Sequence, residues 1–343
     1  MTEQLSTTPS ADAETVPATM TAIVQRGYGG PEVLHREEIE VPAPDAGQVL
    51  LRVAAAGLDR GVWHLMAGLP YLVRPMFGMS TPRQPIPGLD VAGTVVALGP
   101  GAEGFSVGDR VFGIAAGSFA EYAVATTTSI THLPDGVSFE DAAALPVSGL
   151  TAFEAVHTHG GVQPGQRVLV TGASGGVGGY AVQLAAAAGA DVTGVASGVK
   201  ADFVRSLGAG RSIDYGTTDV TDLPDRYDLI VDVNGRLPLG RLVRILTPAG
   251  ALVIVGGENG GRLTGGIERQ FGARLRSAFT RRRLGFFISS ETRADLPELA
   301  RLVETGALRS TATTMRPLAE VRQAIADLTD GRVRGKAVIR VAA

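Results

Sequence analysis

The chain contains no cysteine among its 343 residues, which excludes disulfide bonds, thiolate catalysis and cysteine-built zinc or iron–sulfur sites. Aromatic residues are only 5% of the sequence, whereas 46 glycines favour tight turns and close backbone approach over an aromatic-lined pocket. Its 31 basic and 34 acidic side chains lack the basic excess of nucleic-acid-binding proteins. No stretch reaches the roughly 18 uninterrupted apolar residues that a membrane helix needs.

The N-terminus has neither the basic start nor the apolar core of a signal peptide, which predicts a cytoplasmic protein. Its Ser, Thr, Ala and Pro residues bury little surface, so residues 1–19 are predicted to form a disordered tail. From residue 20 to 144, short β-like runs alternate with Gly- and Pro-containing turns, as at Val49–Val53, Val91–Val96 and Asp109–Gly113. This pattern predicts a partly closed β-barrel.

Strands and helices alternate from residue 145 to 314, which predicts βαβ units and a doubly wound parallel sheet. The first strand is predicted at Arg167–Val170 and the second at Asp191–Ala196. Residues 315–343 hold one more helix and strand and are predicted to return to the first domain. The fold class is therefore α/β, with a β-barrel domain and a doubly wound domain.

A glycine-rich turn lies between the Arg167–Val170 strand and the following helix. Glycine allows the backbone to contact a pyrophosphate, and the helix N-terminus offers unpaired N–H groups and a partial positive charge. The turn supplies the predicted cofactor residues Gly172, Ser174, Gly175, Gly176, Val177 and Gly178. The alternative is a tight turn without a ligand, but the βαβ context favours a dinucleotide.

The end of the second strand indicates which dinucleotide binds. NAD sites usually place Asp or Glu there to bind the ribose 2′-hydroxyl. This chain has Ser197 and Lys200 instead, and Tyr215 follows the next short strand. A hydroxyl and an ammonium suit a 2′-phosphate that a carboxylate would repel, so NADPH is predicted rather than NADH. Alternatively, Ser197 caps a helix and Lys200 is a solvated first-turn residue.

Two further residues follow sheet strands, where ligands bind in open α/β sheets: Asn234 and Gly256. Both are predicted to contact the cofactor, with turn chemistry as the alternative. Seven arginines but one acid lie between Arg262 and Arg283. This segment is interpreted as a solvated helical face or part of the substrate mouth, rather than as a patch for membranes or polyanions.

Several motifs resemble, in the same order, those of the medium-chain dehydrogenase/reductase superfamily, in its zinc-independent quinone oxidoreductase and enoyl reductase branch. They cover nearly the whole chain from about residue 21 and comprise Gly29–Leu34, Pro87–Gly93, Gly108–Val111, Gly117–Tyr122, Leu145–Pro146 with Thr151–Ala152, Gly172–Gly178 and Gly335–Val338. The resemblance implies a GroES-like barrel, a Rossmann domain and an active site in the cleft between them. It also implies a homodimer and a contact of Thr151 with the nicotinamide ribose.

The resemblance also bears on metal binding. Zinc-dependent relatives use Cys, His and a further Cys, but Leu89 stands at the position of that His and the chain has no cysteine. Tetrahedral zinc needs three or four protein ligands. No metal is therefore predicted, although Asp59 lies near the position of the first ligand.

Without a metal, a reductase needs hydrogen bonds for the developing oxyanion and a proton from a side chain or water. Relatives often have Val-Asn-x-x-Asp-Trp where this chain has Asp59 in place of the Asn and Val62 in place of the Asp. His64 falls about where some relatives carry a Tyr. His64 is predicted as a proton donor or carbonyl hydrogen-bond donor, with Asp59 orienting it. The alternative is a packed His with Asp59 bound to local backbone.

Together these features predict an NADPH-dependent reductase of a small lipophilic quinone or α,β-unsaturated carbonyl compound, without nucleic-acid or membrane partners. Two alternatives stay open at this stage. One is an NADP-dependent alcohol or carbonyl oxidoreductase on the same scaffold. The other is an NADPH-binding sensor or scaffold without turnover, because a fold alone does not establish chemistry.

Overall fold

The computed structural model describes residues 15–257, 261–277, 280–287, 289 and 295–341. Residues 1–14 of the predicted tail lie outside the described residues, and the first strand begins at Thr19. Among the helices of the described segments, none has both the length and the apolar character to cross a membrane.

The N-terminal part is mostly β-structure, as the turn-rich sequence predicts. Its elements are β1 (Thr19–Gln25), β2 (Leu34–Glu40), β3 (Gln48–Leu58), α1 (Arg60–Ala67), α2 (Arg74–Phe77), β4 (Asp90–Leu98), β5 (Arg110–Ile114), β6 (Tyr122–Thr126), β7 (Ile130–His132) and α3 (Phe139–Ala143).

The second part alternates helices and strands. Its elements are α4 (Pro146–Phe153), β8 (Arg167–Thr171), α5 (Gly176–Ala187), β9 (Asp191–Ala196), α6 (Ala201–Ser206), β10 (Arg211–Asp214), β11 (Tyr227–Asp232), α7 (Leu239–Arg244), β12 (Leu246–Ile254), α8 (Ile267–Ser277), β13 (Arg283–Phe286) and α9 (Leu296–Glu304). The C-terminal elements are β14 (Ala312–Pro317), α10 (Val321–Thr329) and β15 (Lys336–Arg340).

The C-terminal strands join the sheet of the N-terminal part. That seven-stranded sheet has the order β14-β15-β3-β4-β5-β7, and β6 also pairs with β3. Strand β15 runs antiparallel to β3, with Ala337 opposite Leu58. This register brings Lys336, at the start of β15, next to Asp59, which follows β3.

The second sheet has six strands in the order β10-β9-β8-β11-β12-β13, and every pairing is parallel. Numbered within this sheet, the order is 3-2-1-4-5-6, the order of dinucleotide-binding folds. The order reverses between β8 and β11, so the loops after these strands open a crevice where ligands bind. The GroES-like plus Rossmann fold predicted from sequence is confirmed.

The arginine-rich segment is divided between the surface and the fold. Arg274 and Arg276 are exposed on α8. By contrast, Arg269 donates to the buried Asp232 Oδ2 at 2.5 Å, and Arg283 donates to the Gly160 carbonyl at 2.9 Å. Some of these arginines thus neutralise or cap buried groups, which the sequence interpretation did not anticipate.

Candidate active site

A cleft of about 280 Å³ lies at the crevice of the parallel sheet, and residues next to both sheets line it. Most of the predicted cofactor residues line it: Gly172, Ser174, Gly175, Gly176, Val177, Ser197, Lys200, Tyr215 and Asn234. Asp59, Ser148 and Lys336 line it too, so the predicted dinucleotide site and a set of polar side chains share one space.

The glycine turn forms the wall of this cleft after β8. Gly172 has φ +67°, a conformation that favours glycine, and α5 begins at Gly176. A Cβ on Gly178 would lie 2.1 Å from the Gly172 carbonyl oxygen, so glycine lets the helix approach the strand end. First-turn N–H groups of a helix have no intrahelical acceptor. The turn therefore fits an anionic diphosphate, whereas Gly178 itself serves close packing.

The other end of the cleft contains Ser197, Lys200 and Tyr215. The Ser197 side chain makes no capping hydrogen bond, so the alternative role as a helix cap is not seen. The Lys200 Nζ donates to the carbonyls of Gly331 (2.8 Å) and Val333 (2.7 Å). Burial, and then the nearby Arg334, lower the pKa of Lys200. Lys200 is therefore not a solvated residue, because it ties this end of the cleft to the loop before β15.

Sequence reasoning missed Arg236 at this end, which lines the cleft beside Asn234. The Arg236 backbone N–H donates to Asn234 Oδ1 at 3.3 Å, so Asn234 also makes the turn contact foreseen as its alternative. Its position two residues after Asn234 was the available signal. Arg236 and Lys200 line the same cleft, so Arg236 adds positive charge to it.

Three predicted cofactor residues do not line this cleft: Gly178, which serves close packing, and Thr151 and Gly256. The Thr151 hydroxyl donates to the Val147 carbonyl at 2.7 Å within α4. A Cβ on Gly256 would lie 2.0 Å from the Val233 carbonyl oxygen, which explains that glycine by close packing. Their cofactor contacts stay predictions.

A buried charge cluster lies beside the glycine turn. Lys336 Nζ lies 2.7 Å from Asp90 Oδ2 and 3.5 Å from Asp59 Oδ2, and it donates to Ser148 Oγ at 2.9 Å. Lys336, Asp90 and Asp59 are 2%, 0% and 8% exposed. We call these three residues the Lys336 cluster. It has one positive and two negative groups when all are ionised.

The protonation of the Lys336 cluster follows from this imbalance. Burial lowers the pKa of Lys336, but Asp90 and Asp59 raise it by more, so the group stays an ammonium. Burial raises the pKa of Asp90 to about 6 against the opposing effect of Lys336, and Asp59 adds to the rise. The cluster thus holds one extra proton up to a higher pH than an ordinary aspartate does.

Backbone geometry holds the cluster in place. The Gly335 N–H donates to the Ser174 carbonyl at 2.8 Å, which fixes the start of β15 against the glycine turn. A Cβ on Gly57 would lie 2.5 Å from Asp90 Oδ2, so glycine makes room for that carboxylate. The Val147 N–H donates to Asp90 Oδ1 at 2.7 Å. Sequence reasoning missed Lys336 and Asp90 as site residues, although a lysine that starts the apolar strand β15 was a signal.

The structure gives Asp59 partners other than the predicted His64. Asp59 Oδ1 accepts a hydrogen bond from the Val62 N–H at 3.1 Å as the N-cap of α1, and Oδ2 faces Lys336. His64 packs edge-on against Trp63 and is not among the residues that line the cleft. The local backbone contact of Asp59 is the one expected under the alternative. A role for His64 in proton transfer stays a prediction.

A zinc ion does not fit the side chains at this site. The Asp59 carboxylate faces the Lys336 ammonium, and Leu89 offers no ligand atom. Across the part of the chain that the structure describes, no group of three or more His, Cys, Asp or Glu is placed to hold a metal.

Comparison with known proteins gives consistent results. The family model described as "Alcohol dehydrogenase GroES-like domain" matches residues 45–135, and the one described as "Zinc-binding dehydrogenase" matches residues 207–339. A chloroplast envelope quinone oxidoreductase homolog of Arabidopsis thaliana is 31% identical, covering 93% of this chain and 98% of that protein.

Two further similarities extend over most of the chain. A 2-methylene-furan-3-one reductase of Solanum lycopersicum is 29% identical, covering 98% of this chain and 83% of that protein. The solved quinone oxidoreductase of Coxiella burnetii superposes with a TM-score of 0.81 at 28% identity, covering 94% of this chain and 100% of that one.

Proposed function

Since this chain belongs to the medium-chain dehydrogenase/reductase superfamily, in its quinone oxidoreductase branch, we propose that it is a zinc-independent, NADPH-dependent reductase of quinones or α,β-unsaturated carbonyl compounds. The family is nicotinamide-dependent. The observation that carries the proposal is that the glycine turn, the Ser197–Tyr215 end and the Lys336 cluster meet in a single cleft.

The preference for NADPH is supported by charge. Ser197, Lys200, Tyr215 and Arg236 line one end of the cleft, and the carboxylate next to them in sequence, Asp214, accepts a hydrogen bond from the Gly216 N–H instead of lining the cleft. A 2′-phosphate at this end meets two cationic side chains, whereas a ribose 2′-hydroxyl would lack its usual acidic partner.

When bound, the cofactor would supply the hydride. The chain would bind and orient the cofactor and the acceptor, and it would provide the proton. The first turn of α5 would hold the diphosphate through its backbone N–H groups. The proposed residues along this path are the Gly172–Gly178 turn, Ser197, Lys200, Tyr215, Asn234, Thr151 and Gly256. Electrostatic and hydrogen-bonding groups take the place of a metal in stabilising the reduced acceptor.

The proposed acceptor classes come from the relatives. Quinone reduction is suggested by the names of the Arabidopsis and Coxiella proteins, and enone reduction by that of the tomato reductase. The homodimer and the cytoplasmic location stay predictions, and the Arabidopsis relative is named for the chloroplast envelope.

The test is an NADPH-oxidation assay with quinones, enones and aldehydes, combined with alcohol oxidation by NADP⁺ and calorimetric titration of both pyridine nucleotides. We expect NADPH binding and oxidation with quinones or enones. Reversible alcohol oxidation without enone or quinone reduction would indicate an alcohol dehydrogenase. Binding without turnover on any acceptor would indicate a sensor, and failure to bind either nucleotide would contradict the proposal. Stoichiometric zinc on elemental analysis would contradict its metal-free part.

A further inference from the structure

The reduction needs a proton as well as a hydride, and the Lys336 cluster contains groups able to hold one. We propose, building on the function above, that Asp59 is the catalytic acid that delivers this proton, and that Lys336 and Asp90 are positioning residues that keep it supplied.

Geometry is the first argument. Asp59 and Lys336 line the same cleft as the glycine turn, whereas Asp90 lies behind them with no exposed surface. Asp59 Oδ1 is engaged by the Val62 N–H, but Oδ2 is buried and accepts no hydrogen bond from any described group. A buried, unsatisfied carboxylate oxygen is costly unless a ligand or a proton satisfies it. Oδ2 faces the Lys336 ammonium at 3.5 Å, so it is the atom of Asp59 that can take a proton from Lys336, and the position of Asp59 on the cleft wall lets it pass that proton on.

Charge is the second argument. Two carboxylates around one ammonium leave a net negative charge at a largely buried site, and one added proton removes it. The Tyr180 and Ser148 hydroxyls also face the cluster, and the cationic Arg60, whose guanidinium lies over the Trp63 ring, lines the same cleft. The two hydroxyls are uncharged at neutral pH. The two carboxylates and one ammonium of Asp59, Asp90 and Lys336 thus favour the binding of one further proton by the cluster.

The proton transfer balances without any further reactant. Hydride arrival leaves an electron pair and a negative charge on the acceptor oxygen. The O–H bond of Asp59 breaks, its proton forms a new O–H bond on that oxygen, and the carboxylate left behind faces the Lys336 ammonium. This proton reaches Asp59 before delivery, when Asp90 gives the one extra proton to Nζ and Nζ gives a proton to Asp59, across gaps of 2.7 and 3.5 Å. One proton from solvent restores the cluster per turnover. Such hydrogen bonds often tighten only when substrate is bound.

The decisive variant is Asp59→Asn. It keeps the size of the side chain and its N-cap oxygen, because Asn caps helices as well as Asp does. It also introduces the Asn that relatives often carry at this position. A loss of turnover in Asp59→Asn would therefore show that this chain depends on Asp59 where those relatives use Asn. The matched control is Asp135→Asn, an exposed aspartate in a turn outside the cleft.

Two measurements are made on both variants and the wild type. In turnover with the best acceptor, Asp59→Asn is expected to lower kcat about a hundredfold or more, with little change in NADPH affinity and with a changed solvent deuterium isotope effect. In infrared spectra of the protein without substrate, a protonated carboxyl band is expected in the wild type near neutral pH. The pH at which this band disappears should be lower in Asp59→Asn than in the wild type. Asp135→Asn should match the wild type in both measurements.

The outcomes distinguish a failure of this proposal from a failure of the proposed reductase function on which it rests. Wild-type kcat in Asp59→Asn overturns the assignment of Asp59 while leaving the reductase function intact. The absence of a near-neutral carboxyl band overturns the proton-holding role of the cluster. A wild-type protein that reduces no acceptor overturns the proposed function and the delivery step. The infrared titration then still decides whether the cluster holds a proton.

Discussion

Lys336 Nζ lies 2.7 Å from Asp90 Oδ2, and both side chains are buried where β15 and β4 approach the cleft. The pair connects the last strand of the chain to the middle of the barrel sheet. Its position beside the glycine turn makes it part of the site as well as of the fold. The first prediction concerns what happens when one of the two charges is removed.

Lys336→Met is expected to destabilise the protein by about 3–5 kcal/mol, because it leaves Asp90 buried without its counter-ion. Urea unfolding at pH 7 measures the loss. The double variant Lys336→Met with Asp90→Asn is expected to recover part of it, since the fully buried Asp90 charge is then gone and only Asp59, on the cleft wall, has lost its ammonium partner. A single variant as stable as the wild type would show that the pair is not needed for stability.

The second prediction concerns pH. The folded pKa of Asp90, about 6, lies above its ordinary value of 3.8 because burial disfavours the carboxylate. The folded state therefore binds this proton more tightly, and the contribution to stability is full below pH 3.8 and is lost as the pH rises through about 6. Asp59 adds to the rise in the pKa of Asp90. In Asp59→Asn, the contribution of Asp90 to stability should therefore be lost at a lower pH than in the wild type.

Urea unfolding between pH 4 and pH 7 tests this by comparison of the wild type with Asp59→Asn. The free energy of unfolding is expected to fall more steeply in the wild type, with a difference of roughly 1 kcal/mol over the range, since one pKa unit corresponds to about 1.4 kcal/mol. Carboxylates such as Asp219, whose pKa is lowered mainly by its hydrogen bond with Thr221, act in the opposite direction but equally in both proteins. Parallel curves would contradict the coupling of Asp59 to Asp90.

The sequence was sufficient to predict the parallel sheet because its strands are short apolar runs between recognisable turns. Arg167–Val170 and Asp191–Ala196 were predicted almost to the residue, as β8 and β9 show. Strand β13 was missed because Arg283–Phe286 lies in the arginine-rich segment, and its pairing with β12 depends on tertiary structure. The glycine turn was predicted because the spacing of its glycines between a strand and a helix is itself the signal for dinucleotide binding.

The Lys336 cluster could not be predicted in the same way. Asp59, Asp90 and Lys336 are far apart in sequence, and the pairing of β3 with both β15 and β4 brings them together. A lysine at a strand start is usually solvated, and its burial depends on residues from three elements. The contacts of Asp59 with Val62 and Lys336 could not be predicted for a related reason, because its nearness to His64 in sequence does not determine which way the carboxylate faces.

The third prediction concerns cofactor choice. Lys200→Ala is expected to weaken NADPH binding about tenfold or more while changing NADH binding less, because only NADPH carries a phosphate that the ammonium can meet. Titration calorimetry with both nucleotides measures the ratio. Since Lys200 also bonds to the Gly331 and Val333 carbonyls, Lys200→Met serves as a control that keeps the length of the side chain without the charge. An equal loss for both nucleotides would indicate a structural role alone.

The last prediction separates the two side chains that the sequence suggested for proton transfer. His64 packs against Trp63 away from the cleft lining, whereas Asp59 lines the cleft and faces Lys336. His64→Ala is therefore expected to keep kcat within about threefold of the wild type, while the loss at Asp59→Asn reaches the hundredfold or more that general acid catalysis is worth. Steady-state kinetics at a saturating NADPH concentration make the comparison, with NADPH affinity checked by calorimetry. If His64→Ala instead lost turnover and kept cofactor binding, His64 would be the proton donor, because a merely packed histidine leaves the chemical step unaffected.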